Sequence, residues 1–320
     1  MAAEKQHPEI QATTRPTPSS THRWGLVTLG ATLLLVAVGG FTRGSGSGYG
    51  CADRWPLCED GLLGGLLPRA EYHMIIEWSH RWLAASVGVL AVVTAISAWR
   101  RYRNDRLVVG TAAGAVVVIG IQAWVGRAIV RGGLDADLVS LHLAISMTVV
   151  ALIVVVVVAT RPGGREHVRS DPVWLALLAG AAAGSFLVLI LGSLVHNRYV
   201  PGWPLVLDTL LPDLAGSTIT IHFFHRVAVG MYGLYLAFML VRVRRLGRPR
   251  FERTMLDTAA VLYAVNIGLG AAHVFTMVSS GTLVAAHLAL ASLVWALTVA
   301  ATTAAARARV PQLEESSIPG

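Results

Sequence analysis

Eight long apolar segments follow one another along this chain of 320 residues, and they restrict its fold more than any other feature. Only 14% of the residues are charged, and the mean hydropathy is +0.61. About 20 apolar residues in a helix cross the ~30 Å hydrocarbon layer of a bilayer, and a helix satisfies its own backbone hydrogen bonds there. The sequence therefore predicts an all-α membrane protein with eight transmembrane helices, at residues 24–42, 75–99, 107–129, 138–160, 173–195, 217–241, 255–277 and 282–304.

Two pairs of histidines mark an internal repeat. His80 and His142 are 62 residues apart, as are His225 and His287, and both members of the second pair lie 145 residues after those of the first. The neighbouring residues repeat as well, since an arginine follows both His80 and His225. A repeat of this length indicates a duplicated structural unit. We therefore expect two parallel-repeat four-helix bundles, at residues 23–160 and 161–304, between a disordered tail at 1–22 and a second tail at 305–320.

The arginines predict the orientation of the spans. They cluster after the second, fourth, sixth and eighth spans, whereas the intervening loops at 197–216 and 278–281 contain one arginine between them. Cytoplasmic loops carry the excess of Lys and Arg, so both termini are expected in the cytoplasm. The net charge of +8 is then a signal of topology. Binding of nucleic acid is excluded, because no segment is long enough to form a folded basic surface outside the membrane.

In this orientation all four histidines lie within about two turns of the outer ends of spans that run in the same direction. Imidazoles from two parallel neighbouring helices at one depth can approach a flat, square-coordinated metal from opposite faces, as the axial ligands of haem iron do. Zinc or copper would need further ligands close by. A single intramembrane histidine can instead bond a neighbouring helix or relay protons. The matched register of the four favours ligation of iron.

Glu77 distinguishes the two halves. It precedes His80 by three residues, whereas the matching position in the second half is His222. A carboxylate in hydrocarbon is costly unless it is protonated, paired or in a wet cavity. Glu77 could hydrogen-bond an imidazole or pair with Arg81, or it could act in catalysis by accepting a proton or stabilising a cation. Its presence in one half only favours catalysis beside a substrate bound there. His222 is a reserve ligand candidate, because it is one turn from His225.

Arg81 and Arg226 each follow a predicted iron ligand. They could extend to the outer surface of the membrane, or their guanidinium groups could pair with haem propionates. Arg127 and Arg131, near the outer end of the third span, are weaker candidates for the second role.

Cys51 and Cys58, the only cysteines, lie in the long first outer loop. That compartment is oxidising, so a disulfide between them is expected. It could be a structural constraint or a redox couple used in turnover, and the sequence favours the structural role. The Trp-Pro-Leu sequence at 55–57 recurs at 203–205 in the second outer loop, where no cysteine follows.

Together these motifs resemble the haem A synthase family. The resemblance covers residues 24–304 and rests on the spans, the sequence Glu-Trp-Ser-His-Arg at 77–81, the other three histidines and the loop ending Trp-Pro-Leu-Cys at 55–58. It implies an oxidoreductase of the bacterial plasma membrane that oxidises the C8 methyl group of haem O to the formyl group of haem A by successive hydroxylations. Haem O synthase and assembly factors of the terminal oxidase are the protein partners it implies.

The resemblance also assigns residues. His225 and His287 would be the axial ligands of a cofactor haem b in the second half, and His80 and His142 would hold the iron of the substrate haem in the first half. Glu77 would lie close to the reacting side. Some members carry a second cysteine pair in the second outer loop, which this chain lacks.

Other functions fit less well. A dihaem b-type cytochrome that takes electrons from quinol without modifying a haem would usually hold its haems in both leaflets, and Glu77 would have no role there. A transporter or assembly scaffold with inverted repeats would need odd-numbered halves or broken helices at the midplane. A haem O synthase needs aspartate-rich motifs for magnesium and diphosphate, and the spans are nearly free of aspartate.

Overall fold

The structure is a computed structural model that describes residues 17–59, 61–162, 171–195 and 199–307. The described residues are almost entirely helical and contain no strand, and the eight predicted spans are confirmed as long apolar helices. This is a multi-pass membrane protein. The helices are α1 (Ser20–Gly44), α2 (Leu62–Gly65, one short turn in the first outer loop), α3 (Tyr72–Arg101), α4 (Arg106–Arg131), α5 (Ala136–Ala159), α6 (Pro172–Val195), α7 (Ser217–Arg245), α8 (Arg250–Phe275) and α9 (Gly281–Ala306).

Polar side chains fix where several spans begin. The hydroxyl group of Ser19 accepts a hydrogen bond from the backbone of His22, so α1 starts inside the segment predicted as a tail. Asp105, Asp135 and Ser280 cap α4, α5 and α9 in the same way. Such caps satisfy backbone N–H groups that have no partner within the helix. Residues 1–16 and 308–320 of the predicted tails lie outside the described residues.

The same order of helix contacts is found in each half. In the first half α1 and α4 both contact α3 and α5, and in the second half α6 and α8 both contact α7 and α9. Each half is therefore a ring of four helices. The halves meet where α9 contacts α1 and α5, and where α5 contacts α6. That the two rings are related as parallel repeats, with boundaries at 23–160 and 161–304, stays a prediction.

The core between the halves is built largely on α5. Met147, Val150 and Val154 are buried there against Val36 of α1 and Ala296 of α9. The run of valines at 154–158 is helical, because a helix keeps its own backbone paired in lipid while its side chains pack against the four helices that α5 contacts.

The seam between α1 and α9 depends on small residues. A Cβ atom added to Gly44 would lie 2.8 Å from the Cα of Gly281, and one added to Gly40 would lie 3.1 Å from Cδ2 of Leu288. Glycines four residues apart allow two membrane helices to approach closely. The end of the first described span is therefore in close backbone contact with the start of the last.

Candidate functional site

A cavity of about 1350 Å³ opens between the helices and is lined by all four predicted iron ligands, His80, His142, His225 and His287. Residues from both halves line it, including Val36 and Gly88 from the first and Val188 and Tyr263 from the second. Pockets for one drug-sized ligand measure roughly 300–1,000 Å³. This cavity is large enough for more than one such molecule, and its wall is mostly apolar.

The histidines occupy matched positions. His80 and His225 are each the ninth residue of their helices, α3 and α7, while His142 and His287 are each the seventh residue of α5 and α9. The expectation that each pair comes from neighbouring helices is wrong: among the described residues α3 does not contact α5, nor does α7 contact α9. The paired helices lie diagonally across their rings, and the cavity lies between them.

Each imidazole lies against a glycine of an adjacent helix. A Cβ added to Gly39 of α1 or to Gly192 of α6 would lie 3.1 Å from Cε1 of His80 or His225, respectively. For Gly126 of α4 and Gly270 of α8 the corresponding distance, to Cε1 of the second histidine of each half, is 3.4 Å. A Cβ at Gly39 or Gly192 would therefore press on the ring, whereas one at Gly126 or Gly270 would make an ordinary van der Waals contact with it.

One nitrogen of each imidazole shares an unusual feature. The Nδ1 atoms of His80, His142, His225 and His287 are buried and make no hydrogen bond to any described residue. Buried polar atoms are normally paired, so the recurrence of this unusual feature in all four rings marks the histidines as one matched set around the cavity.

Sequence reasoning missed the four glycines. Gly39 precedes His80 by 41 residues, whereas Gly192 precedes His225 by 33, because the first outer loop is longer than the second. A repeat with a fixed offset therefore does not align them. The helix contacts alone show that the two glycines are equivalent.

Glu77 is buried, with 3% of its surface exposed, and it lines the cavity. Its Oε2 accepts a hydrogen bond from the backbone N–H of Cys51 at 2.8 Å, and its Oε1 forms an ion pair with Arg81. The predicted pairing with Arg81 is thus present, whereas no hydrogen bond joins Glu77 to His80. A buried carboxylate held by a cation and a backbone donor can remain ionised in an apolar surrounding.

Arg81 and Arg226 both hold outer loops. Nη1 of Arg81 donates to the carbonyl oxygens of Arg54 (2.8 Å) and Pro56 (3.1 Å). Arg226 donates from Nη1 to Gly202 (2.5 Å) and Leu205 (2.6 Å), and from Nη2 to Val200 (3.1 Å). Both arginines also line the cavity. Their use by propionates stays a prediction, and the structure adds a second task, which is to fix the two Trp-Pro-Leu loops over the cavity.

Arg127 and Arg131, the weaker candidates for pairing with a propionate, do not line the cavity. The guanidinium carbon of Arg127 is 5.8 Å from the ring centre of Trp55, and the side chain is not part of the cavity wall. Arg131 is exposed and is also absent from that wall.

The second half brings two further histidines to the cavity. His222, at the position of Glu77, is buried and lines it, and the ring centre of His273 is 5.3 Å from that of His287 in an edge-to-face arrangement. Polar amides also face the cavity, Gln122 in the first half and Asn266 in the second. The Nε2 group of Gln122 donates to the carbonyl oxygen of His142 at 2.7 Å and so ties α4 to α5.

The predicted disulfide between Cys51 and Cys58 is confirmed. Both cysteines are buried, and they contact Met74 and Trp78 of α3. The loop that they close is therefore packed on the helix that carries Glu77 and His80.

Comparisons with known proteins agree with these observations. A family model described as "Cytochrome oxidase assembly protein" matches residues 22–299. "Heme A synthase" of Alkalihalophilus pseudofirmus is 27% identical over 253 residues, which are 77% of this chain and 83% of that protein. "Heme A synthase" of Shouchella clausii is 27% identical over 284 residues, or 86% and 93% of the two chains. That of Bacillus licheniformis is 36% identical over 123 residues, 38% of this chain and 39% of its own.

Proposed function

This chain belongs to the cytochrome oxidase assembly protein family, and we propose that it is a haem A synthase, an oxidoreductase that converts haem O to haem A. The reaction oxidises the C8 methyl group of haem O to a formyl group by successive hydroxylations. The observation that carries this proposal is the asymmetry of the cavity, where a buried carboxylate, Glu77, stands one turn from His80 and a histidine, His222, stands one turn from His225.

The residues of each half fit a haem. In each half two imidazoles from diagonal helices line one apolar cavity, and glycines leave room for the rings. In the second half, residues 161–304, His225 and His287 are the proposed axial ligands of a cofactor haem b. Bound there, haem b supplies the electron transfer that the oxidation requires. Arg226 is the proposed partner of one of its propionates.

In the first half, residues 23–160, His80 and His142 hold the iron of haem O and so fix the position of its edge. Arg81 orients Glu77 and contributes a positive charge for a propionate. Both oxygens of the Glu77 carboxylate are held in place, and each keeps a lone pair that can accept a proton. We assign to Glu77 the removal of the proton that the methyl group or its hydroxylated product releases.

The site lies at the outer side of the bacterial plasma membrane in this proposal, with both termini in the cytoplasm. The arginine-rich helix ends support that orientation, since Arg100 and Arg101 end α3 and Arg242, Arg244 and Arg245 end α7, at the ends opposite the histidines. Haem O synthase and assembly factors of the terminal oxidase are the proposed sources and users of the haems. The alternative, a dihaem cytochrome that only transfers electrons, is not favoured, because it leaves Glu77 without a role.

Extraction and chromatography of haems from cells that make haem O test this function. The wild-type chain should produce haem A. The Glu77→Gln variant should keep the absorption spectrum of bound haem b and lose haem A formation by about 100-fold or more, the usual contribution of a general base. The matched control is Glu71→Gln, at the N-cap of the same helix, where the side chain is exposed and makes no capping hydrogen bond.

Two outcomes would contradict the proposal. Haem A formed at the wild-type rate by Glu77→Gln would remove Glu77 from the chemistry. Bound haem b without any haem A from the wild-type chain, with haem O and an electron acceptor supplied, would instead indicate the electron-transfer cytochrome.

A further inference from the structure

We propose that Arg43 binds a propionate carboxylate of the porphyrin held in the first half. This inference rests on the proposed function, because it assumes that the cavity takes a haem there. Arg43 lies in the last turn of α1 and lines the cavity.

The charges of the cavity wall do not balance. Its charged side chains, among the described residues, are three arginines and one glutamate: Arg43, Arg81, Arg226 and Glu77. Glu77 is paired with Arg81. An uncompensated cation beside apolar surface within a membrane is costly. The excess of positive charge therefore indicates that an anionic ligand completes the site, and carboxylates are the anionic groups of a porphyrin.

Arg43 differs from the other two arginines. Arg81 and Arg226 each donate three hydrogen bonds to loop carbonyls or to Glu77. The guanidinium group of Arg43 makes no hydrogen bond and no ion pair with any described residue. Its planar donors suit a carboxylate, which they can bind through two parallel bonds. Arg43 is thus the cation whose donors remain available to a ligand.

The position of Arg43 assigns it to the first half. It follows Gly39 by four residues, which places it on the same face of α1 and about 6 Å nearer the outer end. Gly39 contacts the ring of His80. One turn above an axial imidazole is where the edge of a bound porphyrin would place its acidic side chains, if these point to the outer surface. Arg43 also follows Gly40 by three residues, and Gly40 contacts α9, so the arginine stands beside the seam between the halves.

The test compares a porphyrin that has its carboxylates with one that lacks them. The purified full-length protein, carrying one equivalent of haem b in the second half, is titrated with ferric haem b and separately with its dimethyl ester. Binding is followed by the Soret absorption of the second equivalent. The wild-type protein should bind the free acid about 10- to 100-fold more tightly than the ester, as expected for a charge-assisted hydrogen bond.

Arg43→Gln should lose most of this preference, by weakening binding of the free acid while the affinity for the ester stays unchanged, and the charge of Arg81 accounts for the remainder. Arg43→Lys should keep part of the preference for the free acid, because lysine keeps the positive charge but lacks the paired donors of the planar guanidinium group. Arg23→Gln, which changes an exposed arginine at the other end of α1, should behave as the wild type. An unchanged elution volume and an unchanged spectrum of the first haem show that each variant is folded.

Arg43→Gln that weakens the acid and the ester by the same factor would overturn the proposal, since packing and not charge would then be the cause. Retention of the full preference by Arg43→Gln would also overturn it. The same preparations are assayed for haem A formation from haem O. A wild-type chain that makes no haem A but prefers the acid through Arg43 would contradict the proposed function and leave this inference standing.

Discussion

The backbone N–H of Cys51 donates a hydrogen bond to Oε2 of Glu77 across 2.8 Å, so the disulfide loop and the buried carboxylate form one polar unit. The donor belongs to the main chain, and therefore no substitution at residue 51 other than proline removes it. Only a movement of the loop can do so. The disulfide restricts such movement. It therefore helps to fix the position of Glu77, the proposed base.

Replacing both cysteines, Cys51→Ser with Cys58→Ser, should lower the free energy of unfolding by about 2–4 kcal/mol, the usual effect of losing a disulfide. Haem A formation should fall as well, because Glu77 loses a fixed donor, while the haem b spectrum of the second half persists. Thermal unfolding in detergent and haem extraction measure the two effects. A reductant should lower the unfolding temperature of the wild type and not that of the double variant. Wild-type haem A yield from the double variant would contradict the role given to the loop.

Alanine in place of a glycine that contacts an imidazole should weaken haem binding in that half of the protein only. Gly192→Ala should reduce the haem b that copurifies with the protein, and Gly39→Ala should weaken binding of the second haem, each by roughly tenfold, since overpacking costs ~1–3 kcal/mol. Haem content and Soret titrations measure this. Gly126→Ala and Gly270→Ala, with 3.4 Å of space in place of 3.1 Å, should have smaller effects.

Gly230→Ala is the matched control for these variants, because it lines the same cavity and an added Cβ has no neighbour within 4 Å. Equal losses for Gly230→Ala and Gly192→Ala would mean that the contact with the imidazole is not the cause.

Lysine in place of Arg81 or Arg226 should increase the motion of the Trp-Pro-Leu loop whose carbonyl oxygens that arginine binds. Arg226→Lys removes a fork that holds three carbonyl oxygens, and hydrogen bonds to charged groups contribute ~1.5–3 kcal/mol. Amide hydrogen exchange at 199–206 should become faster. Arg81→Lys should have a weaker effect on 54–58, because the disulfide still holds that loop. Equal acceleration in both loops would show that the disulfide adds no restraint.

A buried ion pair at the other end of the second half should matter for stability and not for chemistry. Glu252 and Arg248 are 2% and 7% exposed, and Glu252 also accepts a hydrogen bond from Nε1 of Trp174 at 2.7 Å. Glu252→Gln should cost about 3–5 kcal/mol, because it leaves a buried cation uncompensated. Chemical unfolding in detergent measures the loss.

The exposed pair of Arg244 and Asp257 provides the comparison. Asp257→Asn should change stability by less than about 1 kcal/mol, since exposed pairs contribute little. A cost for Glu252→Gln no larger than that of Asp257→Asn would contradict the importance of burial.

The spans, the four histidines and the disulfide could be predicted from the sequence, because hydropathy, a repeat and a compartment each leave a local signal. The helix pairing could not. His80 and His142 were expected on neighbouring helices, and only the packing of α1 and α4 between α3 and α5 separates them. The roles of Gly39 and Arg43 could not be predicted from the sequence either. Gly39 contacts the imidazole of His80, and Arg43 lines a cavity formed by helices that are distant along the chain.

The position of α9 would couple the two proposed haem sites energetically. This helix carries His287, a proposed ligand of the second half, and it contacts α1 and α5, which form walls of the first half. A ligand that orders α9 from one side alters the free energy of binding on the other. Linkage then requires that the factor by which one haem changes the affinity for the other be the same in both directions. If bound haem b raises the affinity for haem O, then bound haem O raises the affinity for haem b by the same factor. Release of the product would lower the affinity for haem b again.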